Sequence, residues 1–220
     1  GNPPWERVKI QDKEFFGAHG REDIVNAKTA AIRGKMIRAL ADNDDPLYDG
    51  YVDALRESDG ISHLLRNSGR YPLTGQGDIN TYSVFAETFR TIVGPGGAAG
   101  IITPTGLATD KTTAPFFRDL AEKQALAALH DFVANPLAWQ EIGHGKFRFA
   151  VSVFHGSGLP VDRVRLSFLN KDPANDPGER AFEISPQEIT LVSPNTGTLP
   201  IFNTRADAEI TLGIYRRHPV

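Results

Sequence analysis

The chain has 220 residues, 40% of them hydrophobic and none a cysteine, with 24 Lys and Arg against 27 Asp and Glu. That is enough for one sizeable core plus an extension, and it excludes disulfides and thiolate chemistry. With no eighteen-residue apolar run and no charged-then-apolar leader, neither a membrane span nor secretion is indicated and a cytoplasmic location is expected; a formal charge of −3 offers nucleic acid no global attraction, though a local basic groove is compatible with it.

The first element is Asn2-Pro3-Pro4-Trp5. As punctuation it reads as a loop, since Asn starts turns and each proline interrupts regular structure. As chemistry it supplies more. The Asn2 side-chain oxygen and the Pro3 main-chain carbonyl are two acceptors, and two successive prolines fix φ and remove competing donors. Trp5 adds a flat stacking face, worth about 1–3 kcal/mol to an unstacked base. Such a set suits a planar amine whose lone pair is delocalised into a ring and whose N–H bonds have to be held.

The polar stretch from Glu6 to Glu22 then reads as a loop carrying Phe15-Phe16. Val25, Ile32, Met36 and Leu40 recur at helical spacing. After the break at Asn43-Asp44-Asp45-Pro46, so do Leu47, Tyr48, Tyr51, Val52 and Leu55. These predict a helical insertion over about 20–71. Asp78 is expected to cap a helix whose Tyr82, Phe85, Phe89 and Ile92 share a core-facing stripe. Gly94-Pro95-Gly96-Gly97-Ala98-Ala99 fits G-x-G-x-x-A but comes after a helical pattern and before an apolar run, the reverse of a nucleotide loop, so it reads as a structural turn. Pro115 announces a short helix with Phe116, Phe117 and Leu120, while Leu126 to Val133 is ambiguous by pattern. Phe147, Phe149, Val151 and Val153, then Val164, Leu166 and Phe168, alternate at period two and predict an antiparallel hairpin at a sheet edge, joined through Gly156-Ser157-Gly158. Phe147 in such a strand reads as core, and Lys146 and Arg148 as solvated edge charges.

The six histidines are scattered, none is paired at i, i+4 in a helix, and no cysteine joins them, so no metal site is expected. No Gly-x-Ser-x-Gly elbow or Walker loop appears, which leaves acyl and phosphoryl transfer without support. The tail Tyr215-Arg216-Arg217-His218 fits a DNA backbone contact and equally a helix end that favours cations.

Gly1-Asn2-Pro3-Pro4-Trp5-Glu6 resembles the catalytic motif of N6-adenine DNA methyltransferases, specifically the large single-chain methylases of restriction–modification and phage-defence systems. Three later stretches resemble the same enzymes in order and spacing: Gly77 to Glu87 as the helix after the motif, Pro95 to Pro104 as the next strand, and Phe147 to Phe154 as the later strand that closes the sheet. Ser193 to Phe202, with Asp207-Ala208-Glu209-Ile210 and Ile214-Tyr215, resembles the segment leading toward a target-recognition region. The resemblance makes 126–133 a strand. It implies an α/β, Rossmann-like S-adenosylmethionine-dependent methyltransferase fold, here the C-terminal half of the sheet, with 1–170 as the catalytic part and 171–220 as the connector.

It further implies methyl transfer to N6 of a flipped adenine in DNA, with restriction or defence-system subunits as further partners. Asn2 and Pro3 would hold the amine, Pro4 would rigidify the loop and Trp5 would stack. Phe147 would form the second wall of the base pocket and Lys146 would touch phosphate or sugar. In this branch the glycine-rich cofactor motif lies upstream of the tetrapeptide, so the chain is expected to be the downstream part of a longer protein whose S-adenosylmethionine site precedes Gly1. The same tetrapeptide serves enzymes acting on an RNA adenine or a glutamine amide. A non-catalytic DNA-binding or interaction fragment is the alternative outside enzymology.

Overall fold

A computed structural model describes residues 1–134, 147–171 and 180–218. The chain divides into two units, Arg7–Ile79 and a second that joins Gly1–Glu6 to Asn80–Val220.

The Arg7–Ile79 unit is helical: α1 (Asp12–Ala18), α2 (Glu22–Val25), α3 (Ala30–Asp42) and α4 (Pro46–Asn67). Of the periodic positions of the sequence, Val25 ends α2 and the others fall on α3 and α4. Thr29 caps α3 by accepting from the Ile32 amide, and Asp45 caps α4 by accepting from the Leu47 amide, with Pro46 at the position where a missing N–H costs nothing. Phe16, Ile24, Ile37 and Leu40 form the centre of this unit, surrounded by Phe15, Met36, Leu47, Tyr48 and Tyr51. The stretch expected as a loop is thus partly helix. Its Phe15-Phe16 pair packs edge to face and both rings meet Tyr51, so tertiary burial supplies what a seven-residue helix lacks by itself.

In the other unit the sheet runs β1 (Ala98–Pro104), β3 (Arg148–His155), β2 (Leu126–Val133), β4 (Val164–Asn170), β5 (Phe182–Ile184) in spatial order. β3 is antiparallel to both β1 and β2, β4 is parallel to β2, and β5 is antiparallel to β4. The expected hairpin of β3 with β4 is therefore wrong: β2 lies between them. Alternation identifies a strand and says nothing of its neighbours. The 156–163 connection is also longer than the usual hairpin loop of 2–5 residues. Gly156 has a different task, because a Cβ there would sit 1.9 Å from the Gly94 carbonyl oxygen. It lets the end of β3 lie against the turn that opens β1, where its own amide donates to Gly97.

Helices α5 (Thr81–Ile92), α6 (Gly106–Thr109), α7 (Ala114–Glu122), α8 (Pro186–Val192) and α9 (Arg205–Arg217) complete this unit among the described residues. The cap of α5 is Asn80, whose side chain accepts from the Tyr82 amide, and not Asp78. Its buried face is also rotated from expectation. Tyr82, Ser83, Ala86 and Glu87 are buried, whereas Phe85 is 40% and Ile92 70% exposed. The small side chains of Ser83 and Ala86 join Tyr82 on the inward face, and Phe85 and Ile92 point outward. Phe116, Phe117, Leu120, Leu126, Leu129, Phe154, Val164 and Leu166 fill the core. No helix among the described residues is long and apolar enough to cross a membrane.

Candidate active site

Gly1 is held beside β1 in parallel register: its amino group donates to Gly100 O at 2.5 Å and the Ile102 amide donates to Gly1 O at 2.9 Å. Asn2 to Trp5 consequently run toward the carboxyl end of β1. Thr81, the first residue of α5, fastens the far end of the tetrapeptide. Its hydroxyl donates to Pro4 O (2.7 Å) and accepts from the Glu6 amide (3.0 Å), while its own amide donates to Glu6 O (2.8 Å).

This latch spends the Pro4 carbonyl. Among the described residues neither the Asn2 side chain nor the Pro3 carbonyl has a hydrogen-bond partner. Pro3 is buried, Asn2 and Pro4 are exposed, and Trp5 is half-buried. The Trp5 Nε1 lies out of solvent with no acceptor among the described residues. An indole donor left in that state costs about 1–3 kcal/mol, so the loop holds a stacking face and an unspent donor together.

Phe147 stacks on Trp5 with ring centroids 5.6 Å apart and planes 4° from parallel. The side chain is 43% exposed, so the reading of Phe147 as ordinary core is corrected: it precedes β3, which starts at Arg148, and faces the tetrapeptide. Two parallel rings that hold a third between them need about 7 Å, twice the carbon contact distance of about 3.5 Å. The slot is closed as it stands. A flat ligand enters only by moving the two rings apart, or by stacking on an outer face. Lys146 and His144 lie outside the described residues.

One residue beyond Phe147 begins a polar cluster that the sequence did not announce. Asp131 on β2 is fully buried and accepts from Thr105 Oγ1 (2.5 Å), Arg148 Nη2 (2.5 Å) and the Leu169 amide (3.0 Å). Asn170 Nδ2 donates to the Asp131 carbonyl (2.8 Å) and to Ser167 Oγ (2.8 Å). The cause is a break in the ladder. Between His130 and Phe132 the β2–β4 register slips, and Leu169 takes φ +56, which frees its amide from strand pairing. The Asp131 carboxylate replaces the lost acceptor and binds the ends of β1, β2 and β4 to the start of β3. A carboxylate inside a largely apolar strand was its signal in the sequence. Arg148, expected as a solvated edge charge, is its ion-pair partner on a central strand.

Thr81 was likewise missed, since a threonine at the first turn of a helix has no distinctive sequence neighbourhood. Beside it, burial pushes the Tyr82 phenol up to about 12, and the negative charge of Asp110 adds to that. No group of three His, Cys, Asp or Glu that could hold a metal occurs among the described residues.

The sequence matches no protein-family model and no curated protein. Among solved structures, partial similarity extends to a chain from a study of complex assembly and conformational transition in a type I restriction–modification system, at 15% identity, TM-score 0.44, and coverage of 64% of this chain and 37% of that one. The type I restriction–modification methyltransferase subunit from Streptococcus thermophilus gives 13% identity and TM-score 0.36, covering 70% and 28%. The type ISP restriction–modification enzyme LlaBIII bound to DNA gives 11% identity and TM-score 0.41, covering 84% and 12%. This chain thus spans 12–37% of the length of these three solved chains.

Proposed function

We propose that this chain carries the base-holding part of a DNA adenine N6-methyltransferase with a Rossmann-like fold, working in the cytoplasm within a restriction–modification or phage-defence system. In this reading 1–170 is the catalytic part and 171–220 leads toward target recognition. One observation carries the proposal: the Asn2 amide and the Pro3 carbonyl have no partner among the described residues, and they stand next to a parallel aromatic pair, Trp5 and Phe147.

The residues divide the work. Asn2 Oδ1 and Pro3 O accept from the two N–H bonds of the adenine amine and so make its nitrogen a better nucleophile. Trp5 and Phe147 replace the stacking that an extruded base loses, which costs roughly a few kcal/mol. In the empty state the two rings stack on each other. Thr81 holds the Pro4 carbonyl, so the backbone of the loop is set before substrate arrives and positioning is gained in advance.

The expected methyl donor, S-adenosylmethionine, finds no cradle among the described residues. The glycine turn at 94–97 joins the end of α5 to the start of β1, and a donor loop needs the opposite order, strand then helix. The role given to the described residues is confined to the acceptor base.

In the intact enzyme, Asn2→Ala should abolish transfer of a labelled methyl group to DNA while DNA binding stays largely intact. Offering DNA, RNA and protein in parallel separates the base from a glutamine amide as acceptor. Wild-type turnover by the Asn2→Ala enzyme would remove the assigned role.

A further inference from the structure

Phe147 has few ties of its own. Among the described residues its ring meets one other ring, that of Trp5, and its carbonyl accepts from the Ala134 amide at 2.8 Å. The β1–β3 ladder pairs Pro104 with Phe149 and ends in a long bond, from the Thr105 amide to Arg148 O at 3.4 Å. Backbone pairing between these two strands therefore fades just where the stacking wall begins.

The Asp131 carboxylate reaches across that gap. One oxygen, Oδ1, accepts from Thr105 Oγ1, on the residue that follows β1. The other, Oδ2, accepts from Arg148 Nη2, on the residue that follows Phe147. Arg148 Nε lies out of solvent with no acceptor among the described residues, so this carboxylate is what holds the guanidinium. The two walls of the slot refer to the same two points: Asn2 to Trp5 run toward the carboxyl end of β1, and Phe147 directly precedes Arg148. Stability alone does not require a carboxylate here, because apolar residues of similar volume often serve a buried position as well as an ion pair or better. What charged hydrogen bonds add is a fixed direction.

We propose that Asp131 is a positioning residue for the aromatic slot: through Thr105 and Arg148 it fixes the end of β1 against the start of β3, and so holds Phe147 parallel to Trp5. What this means for a bound base rests on the adenine reading given above, whereas the coupling of Asp131 to the ring pair does not.

The first measurement is acrylamide quenching of Trp5 in the full 220-residue chain, with Trp139→Phe in every sample so that a single indole emits. Asp131→Asn keeps the side-chain volume and removes the charge. Thr105→Val removes one donor more gently, and Thr105→Ser restores it. The quenching constant should rise about twofold in Asp131→Asn, because one of the two indole faces is then uncovered, and less in Thr105→Val; Thr105→Ser should match the wild type. Leu212→Ala is the control for general loosening. Leu212 is buried beside Phe182 and Ile184 of β5, at the sheet edge opposite β1, so its loss should lower the urea midpoint and leave the quenching unchanged. Should Asp131→Asn fail to fold by circular dichroism, the two Thr105 variants decide. Unchanged quenching in a folded Asp131→Asn, or in Thr105→Val where Asp131→Asn does not fold, overturns the proposal. An equal rise in Leu212→Ala does so too, as does a failure of Thr105→Ser to restore the wild-type value. In the intact enzyme, Thr105→Val should lower kcat for methyl transfer to DNA by about tenfold and leave KM within about twofold, with recovery in Thr105→Ser. Wild-type kcat in a variant whose quenching has risen overturns the positioning role. If quenching responds as expected but the wild-type enzyme transfers no methyl group to DNA, the adenine reading fails and the coupling stands; methylation with quenching that ignores Asp131 and Thr105 gives the reverse.

Discussion

Removing the Asp131 carboxylate tests whether the polar cluster next to Phe147 supports the unit that carries the site. Asp131→Ala leaves three donors without their acceptor: the Thr105 hydroxyl, the Leu169 amide and the Arg148 guanidinium. Breaking a buried ion pair from one side costs about 3–5 kcal/mol. Because the Arg148 side chain is still 29% exposed and can recruit water, the lower end applies, about 3 kcal/mol. Arg148→Met should cost as much or more, since it strands a carboxylate with no exposure at all. The double variant Asp131→Ala/Arg148→Met removes both charges and puts apolar volume in their place, so it should be destabilised far less than the two single variants added together. Urea unfolding measures this. At a slope of about 1–3 kcal/mol per molar, each single variant lowers the midpoint by about 1–3 M. Additive losses would mean that carboxylate and guanidinium do not depend on each other. A shift below about 1 kcal/mol for Asp131→Ala would mean that water replaces the carboxylate freely and that the cluster holds nothing.

Two further changes probe the frame around the site. Gln124 takes φ +51 directly after α7, where its amide donates to Ala121 O and the next amide, of Ala125, donates to Leu120 O. This is the helix ending that glycine favours, so Gln124→Gly should raise the thermal midpoint by the equivalent of up to about 1 kcal/mol, and a lowered midpoint would show that the Gln124 side chain holds the turn. Glu188, in the first turn of α8, has an acidity governed by opposing causes: burial raises its pKa, but the Ser185 backbone and hydroxyl together with the Arg216 and Arg163 charges lower it further than burial raises it. A depressed carboxylate pKa stabilises the fold above the ordinary glutamate value of about 4.3, and that stability is lost as pH falls through the lower folded-state value. The stability gap between wild type and Glu188→Gln should be largest near neutrality and close in acid; a gap that is flat with pH would rule the charge out as its source.

How far the sequence could be read depended on whether a residue's role is local. Caps, turns and periods act within a few positions, and they read well: α3, α4 and α7 lie where their spacing placed them, and the 94–97 glycines form a turn from helix to strand. Strand pairing is not local. The alternation in 147–154 and 164–168 identified β3 and β4, but the same pattern suits an edge hairpin and a central strand, and only the position of β2 between them decides. Face assignment failed on α5 for a related reason. Apolar count placed Phe85 and Ile92 inward with Tyr82, whereas Tyr82 is buried together with Ser83 and Ala86, whose value is small size, and Phe85 and Ile92 are exposed.

The candidate site divides along the same line. Asn2-Pro3-Pro4-Trp5 was legible because its chemistry is contained in four consecutive residues. What supports it comes from far along the chain: Thr81 closes the loop from 77 residues beyond Pro4, Phe147 covers Trp5 across the unit, and Asp131 binds four strand ends beneath. The closed stack then constrains any mechanism more than the motif does. A base that enters between Trp5 and Phe147 has to part rings already in favourable contact, so part of the stacking gained on binding is offset by the stacking given up by the empty site. A base already unpaired or mismatched is cheaper to extrude, so it carries a smaller opposing term. If the slot works in this way, discrimination between paired and mismatched adenine should weaken when Phe147 is replaced by a side chain that cannot stack on Trp5.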